Sequence, residues 1–165
     1  MRDNILALDL SLVSTGAARG TATYRITCKK SGVERLAHIR SEVMRLADGA
    51  DLVVIEGYSM GSRGRVFDIG ELGGVIRMAL HDSGITFVSV PPTSLKKFAT
   101  GKGTAKKDDM LETAIRRFAF AGHGNDEADA WLLLKMAEAA YSGLATNTKQ
   151  REAIAAVDWP ILTGL

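Results

Sequence analysis

The chain has 165 residues, which suggests one domain and is long enough to bury a real core. An apolar fraction of 46% and a charged fraction of 24% are ordinary for a soluble globular protein, and 21 Lys+Arg against 19 Asp+Glu leave a net charge of only +2. Cys28 is the only cysteine, which excludes an intrachain disulfide and a cysteine metal site; no apolar run is long enough to span a bilayer, and no signal-peptide pattern opens the chain. The expectation is a cytoplasmic protein with no membrane partner. So small a charge excess does not by itself point to nucleic acid, and the distribution of the charges has to carry that question.

Taken in chain order, residues 4–10 read as a buried strand and Ser11 to Gly16 as a turn. Ala17 to Thr27 continues as strand interrupted by Gly20, with Thr21, Thr23, Tyr24 and Ile26 suited to a pleated surface. Residues 33–47 have helical period, with Gly49 placed to end the helix. Residues 52–56 form a second short apolar strand, and Gly57 to Arg65, with three glycines and no period, reads as a loop. Val66 to Leu80 is helical in spite of Gly70, Gly73 and Gly74, which suggests close approach of another backbone. Ile85 to Val90 is a strand ended by Pro91-Pro92, Thr93 to Phe98 a short helix, and Gly101-Lys102-Gly103 a loop. Helices follow at 105–119 and 126–142, with Asn125 as an N-cap, and a further amphipathic helix at 146–157 is stopped by Pro160. Strands first, then strands alternating with helices, predict an α/β fold: one mixed sheet with helices on its faces, a single domain over 1–165 with a helical tail at 146–165.

Four acids stand out. Asp9 closes the apolar run Ile5-Leu6-Ala7-Leu8, and Glu56 closes Leu52-Val53-Val54-Ile55. Asp126 and Asp129, three apart at the head of a helix, share one face. Each has a plain structural reading: a polar strand end, or an acid stabilising a helix N-terminus. Together they fall at the ends of elements that would converge in one sheet. A carboxylate at the end of a buried strand is costly without a compensating cation. An oxygen-only donor set favours Mg²⁺ or Mn²⁺, and two such ions, roughly 4 Å apart, can clamp the attacking and leaving oxygens of a phosphodiester.

The second constellation is basic. Lys96, Lys97, Lys102, Lys106 and Lys107 lie within twelve residues, followed by Arg116 and Arg117. Gly101 and Gly103 would let backbone come close to a ligand, an arrangement that suits phosphate contacts along nucleic acid; a solvated charge run is the plainer reading. Tyr58, Arg63 and Arg65 add an aromatic and two cations in the loop, fit for stacking and backbone contact or for an ordinary surface loop. His123 is placed either to assist a metal or to occupy a turn, and no Gly-x-Ser-x-Gly elbow supports Ser11 as a nucleophile.

With these residues in place the chain resembles the RuvC-like Holliday-junction resolvases of the RNase H-like superfamily, especially the short versions carried by bacteriophages. Leu8-Asp9 with Thr15-Gly16 is similar to the first acidic motif, Val54-Ile55-Glu56 to the second, and Asp126-Glu127-Ala128-Asp129-Ala130 to the last. Leu95-Lys96-Lys97 through Lys106-Lys107 resembles the basic stretch, with Lys96 and Lys107 on its DNA-binding lysines. Leu10-Ser11 stands where the family often has Pro-Gly, and Ser59 where some members carry an inserting aromatic, Tyr58 being the nearest one. The resemblance implies an RNase H-like sheet flanked by helices and a homodimer in the cytoplasm of a bacterial or phage-infected cell. It implies an endonuclease for Holliday junctions or other branched DNA, with two Mg²⁺ (or Mn²⁺) on Asp9, Glu56, Asp126 and Asp129, leaving 5′-phosphate and 3′-hydroxyl ends. Related nucleases of relaxed choice, for flaps, forks or structured RNA, and a non-catalytic branched-DNA binding module remain as alternatives.

Overall fold

The computed structural model describes residues 4–58, 66–145 and 147–162. Five strands and six helices follow in the order β1 (Ile5–Asp9), β2 (Ser14–Arg19), β3 (Ala22–Thr27), α1 (Gly32–Ala47), β4 (Leu52–Glu56), α2 (Val66–Asp82), β5 (Phe87–Val90), α3 (Pro92–Thr100), α4 (Lys107–Phe118), α5 (Asn125–Ser142) and α6 (Thr148–Ala155). One mixed sheet runs β3-β2-β1-β4-β5. The β1–β2 and β2–β3 pairs are antiparallel, and β4 joins β1 and β5 in parallel.

Strand alternation divides the core in two. Leu6 and Leu8 of β1 and Val53 and Ile55 of β4 face α1 and α2, meeting Ile39, Val43, Leu72, Ile76 and Leu80. Ile5, Ala7, Leu52 and Val54 face the other way, onto α3, α4 and α5. The parallel register sets Ala7 beside Val54. Two residues further on, the same alternation carries Asp9 and Glu56 out of the sheet on the α5 side. Helix α5 is apolar nearly all round, with Ala130, Leu132, Leu133, Leu134 and Met136 all buried, as befits a helix enclosed by sheet and neighbouring helices.

The predicted elements are present, with shifted ends. Strand β2 starts at Ser14 rather than after Gly16, because the turn is closed earlier. Thr15 Oγ1 accepts from Ser11 N (3.0 Å) and donates to Ser11 O (2.7 Å), and Ser11 Oγ accepts from Val13 N (3.2 Å). These hydroxyls give the Leu10-Ser11 sequence its turn. Helix α4 starts at Lys107 because Lys106 is still extended and its N–H donates to Asp109 Oδ2 at 3.0 Å. The N-cap of α5 is Gly124, with Asn125 already helical. Tail helix α6 has Asn147 as its cap, accepting from Gln150 N at 2.9 Å, and packs on α3.

Candidate functional site

The site lies where β1 and β4 end and α5 begins. What allows α5 to start so close to the sheet is Gly16. A Cβ at that position would collide with the backbone carbonyl of Asp126, so the strand next to β1 carries hydrogen where the helix arrives. Asp129, one turn into α5, is thereby set over the ends of β1 and β4. Carboxylate oxygens of Asp9, Glu56 and Asp129 lie within 4.8 Å of one another. Asp126 is outside that trio but lines the same cleft, of about 270 Å³, together with Lys107, Tyr58 and Arg77. All four acids singled out from sequence thus meet at one cleft, three as a cluster and the fourth beside it.

The electrostatics are those of a site built for a cation. Burial raises the pKa of Asp9 well above the usual carboxylate range, and the charges of Glu56, Asp129 and Asp126 raise it further. Burial, with the charge of Asp129, lifts Glu56 from 4.5 to about 7, against the pull of Lys96 and Lys107. Burial lifts Asp129 from 3.8 to about 6; Lys107 and Lys96 oppose the rise and Asp126 adds to it. Three desolvated carboxylates that repel one another and offer only oxygen fit a hard divalent metal ion, which would relieve both the repulsion and the lost hydration. The donor set suits a hard cation better than a soft metal.

The basic segment divides. Lys107, at the start of α4, lines the cleft, and Lys96 of α3 is close enough for its charge to act on Glu56 and Asp129. Lys97, its neighbour on α3, turns to α6 and pairs with Glu152 at 2.6 Å, holding that carboxyl below its usual range. Lys102 and Lys106 are exposed. Gly101, at φ +84°, ends α3 in the left-handed conformation, its N–H donating to Lys97 O at 2.9 Å. Gly103 lies against Thr93, whose carbonyl oxygen would be 3.3 Å from an added Cβ. Arg116 pairs with Glu112 at 3.2 Å, and Arg117 donates to Ala99 O at 3.3 Å. Tyr58 lines the cleft, with Arg77 donating to its hydroxyl and standing 4.8 Å over its ring. Arg63, Arg65 and Ser59 lie outside the described residues. His123 is exposed in the turn before α5. Ser11 Oγ is engaged with backbone N–H groups of its own turn, as befits a structural hydroxyl.

Arg77 was not legible as a cleft residue from sequence. The only trace is Gly73 four residues earlier in the same helix: an added Cβ there would collide with Tyr58 Oη and Arg77 Nη1.

No protein-family model matches the chain. It is 33% identical over 103 residues to the crossover junction endodeoxyribonuclease RuvC of Anaeromyxobacter sp. (strain Fw109-5), an alignment covering 61% of this chain and 50% of the relative. It is 29% identical over 101 residues to the RuvC of Synechococcus sp. (strain WH7803), covering 59% of this chain and 66% of that protein. The chain therefore spans about half to two thirds of the length of these relatives. In structure it superposes on Thermus thermophilus RuvC with a TM-score of 0.68 at 17% identity, covering 86% of this chain and 97% of the other. The T. thermophilus RuvC structure in complex with a Holliday junction substrate gives the same TM-score at 18% identity, covering 86% and 96%. The chain is similar in sequence to RuvC proteins over part of their length and has the fold of RuvC.

Proposed function

We propose that this protein is a metal-dependent endonuclease that nicks branched DNA, Holliday junctions first among them, by hydrolysis of a phosphodiester. The observation that carries the reading is the carboxylate trio of Asp9, Glu56 and Asp129, within 4.8 Å of one another, in a cleft shared with Lys107. Its support from outside the site is the sequence similarity to RuvC endodeoxyribonucleases.

In this reading Asp9, Glu56 and Asp129, with Asp126 beside them, would hold Mg²⁺, Mn²⁺ serving as well, two ions to a site. When bound, the metal supplies a water of lowered pKa and neutralises charge developing on the phosphate. The chain's own part is to hold the carboxylates rigidly on two strand ends and one helix, keep them poorly hydrated, and set cations around the DNA backbone. Lys107 shares the cleft with the acids and Lys96 acts on them through its charge, and both would contact the DNA phosphates. The remaining lysines at 102 and 106, and the arginines at 63 and 65, extend the backbone contacts, and Tyr58 offers a ring at the cleft wall.

Paired nicks across a four-way junction require two sites, so the active species is a homodimer. Helix α2 offers the surface. Gly70 and Gly74 would have nothing within 4 Å of an added Cβ among the described residues. Phe67 and Met78 flank that bare stripe, 89% and 59% exposed. Ile76 on the same helix is buried inside the protomer and Ile69 and Val75 are half-buried, so the apolar contact falls to Phe67 and Met78.

The deciding experiment compares nicking of four-way, flap and RNA substrates with and without Mg²⁺. Symmetric nicks in the four-way junction, with 5′-phosphate and 3′-hydroxyl ends and only with metal, are expected. Nicking confined to flaps or RNA would reassign the substrate. Binding of junctions without nicking in any divalent metal would make the protein a DNA-binding module.

A further inference from the structure

We infer that Arg77 grips the DNA backbone on the α2 wall of the cleft, as a phosphate-contacting residue distinct from the lysine segment; the inference rests on the branched-DNA nuclease reading above.

Arg77 lines the same cleft as the acids and Lys107, but from the other side. Lys107 belongs to α4, on the α5 face of the sheet, whereas Arg77 belongs to α2 on the opposite face. A strand crossing the acidic floor between them would meet a cation on each wall. The guanidinium is also unusually free in charge. It donates to Tyr58 Oη through Nη1 and to Ser89 Oγ through Nη2 (3.2 Å), and it stacks 4.8 Å over the Tyr58 ring. These partners are all neutral, and among the described residues no carboxylate pairs with it. Two hydroxyls and a ring therefore orient the group without cancelling its charge. Its remaining N–H donors form the planar fork that matches two phosphate oxygens.

The placement is specific. Ser89 immediately precedes Val90, whose Cα partner across β4–β5 is Glu56, so the fork is anchored next to the strand pair that ends in an acid of the floor. Gly73 clears the space for it. A side chain there would strike both Tyr58 Oη and Arg77 Nη1, so α2 carries a poor helix former in mid-helix to keep this group in position. Held by neutral partners and paired with no carboxylate among the described residues, the guanidinium on the cleft wall is free to meet an anion that enters over the acids.

The test uses the full chain and Arg77→Gln, which keeps a neutral amide donor but loses the charge, together with Arg77→Lys, which keeps the charge but not the fork. Binding to an intact four-way junction is measured without divalent metal over a range of salt. The slope of log affinity against log salt is expected to fall by about one unit in Arg77→Gln and to persist in Arg77→Lys. A second arm places single neutral methylphosphonates along the strand that is cut. One position should weaken wild-type binding by roughly tenfold or more and have no further effect in Arg77→Gln. An unchanged slope with the same methylphosphonate profile as wild type would make Arg77 only a structural pin for Tyr58, leaving the nuclease reading intact. Wild-type protein that neither binds nor nicks branched DNA would overturn both.

Discussion

At the scale of single residues, the acids are under opposing demands. Their burial raises the pKa of Asp9, Glu56 and Asp129, so the metal-free fold binds more protons than the unfolded chain in the window where they titrate. With Glu56 moving from 4.5 to about 7 and Asp129 from 3.8 to about 6, that window runs from near pH 4 to near pH 7. Stability in the absence of metal is then full at its acid end and falls as pH rises through it. Glu56→Gln removes one buried charge and should raise metal-free stability at pH 8 by about 1–3 kcal/mol, with little effect near pH 4. Urea unfolding at the two pH values measures this, and a loss of stability at pH 8 would contradict it. The same variant should lose the stabilisation that Mg²⁺ confers on the wild type. In Asp9→Asn, nicking in Mg²⁺ should drop by at least roughly 10²-fold while junction gel shifts persist; appreciable nicking would remove Asp9 from the metal site.

At the scale of elements, two contacts bring the chemistry together. The first is β2 against the start of α5 at Gly16. Gly16→Ala would drive a methyl group into the Asp126 carbonyl, which displaces α5 and with it Asp129. A stability loss of about 1–3 kcal/mol is expected from such overpacking, with Mg²⁺ affinity falling as well; calorimetry with and without metal reads both, and a neutral outcome would mean the contact does not set the site. The second is the α3–α4 corner that carries Lys96 and Lys107 to the cleft. Lys96→Ala and Lys107→Ala should each lower the salt slope of junction binding by about one unit with little sequence dependence. Lys97→Ala should change the slope least, since that lysine is spent on Glu152 of α6. Equal effects at all three positions would point to a merely diffuse basic surface.

For the molecule as a whole, the proposed paired cuts require two clefts held in one assembly. The exposed stripe on α2 makes Gly74→Leu the probe, because among the described residues nothing lies within 4 Å of an added Cβ there. The expected product is a folded monomer that binds junctions weakly and makes no paired nicks. Light scattering and circular dichroism on one sample decide: a variant that stays dimeric, or that unfolds, refutes the α2 interface. Among the described residues no helix is long and apolar enough to cross a membrane.

Much of this was legible in the chain because it rests on local, periodic signals. Apolar runs ending in Asp9 and Glu56 mark strands and the carboxylates at their tips, and the 3.6-residue period marks the helices. The spacing of Asp126 and Asp129 already puts them on one helix face. What sequence could not divide was the roles within each group. Lys96 and Lys97 are adjacent, so on a helix they point about 100° apart; which one meets the acids and which one meets Glu152 depends on where α6 packs, far along the chain. That Gly101 ends α3 in the left-handed conformation shows only in the backbone torsion. What Gly16 and Gly73 make room for shows only in the packed chain, where the start of α5 lies against Gly16 and Tyr58 lies against Gly73 and Arg77. Strand and helix identity follow from neighbours in sequence, whereas the cleft is made by contacts between elements tens of residues apart, and only the packed structure brings those together.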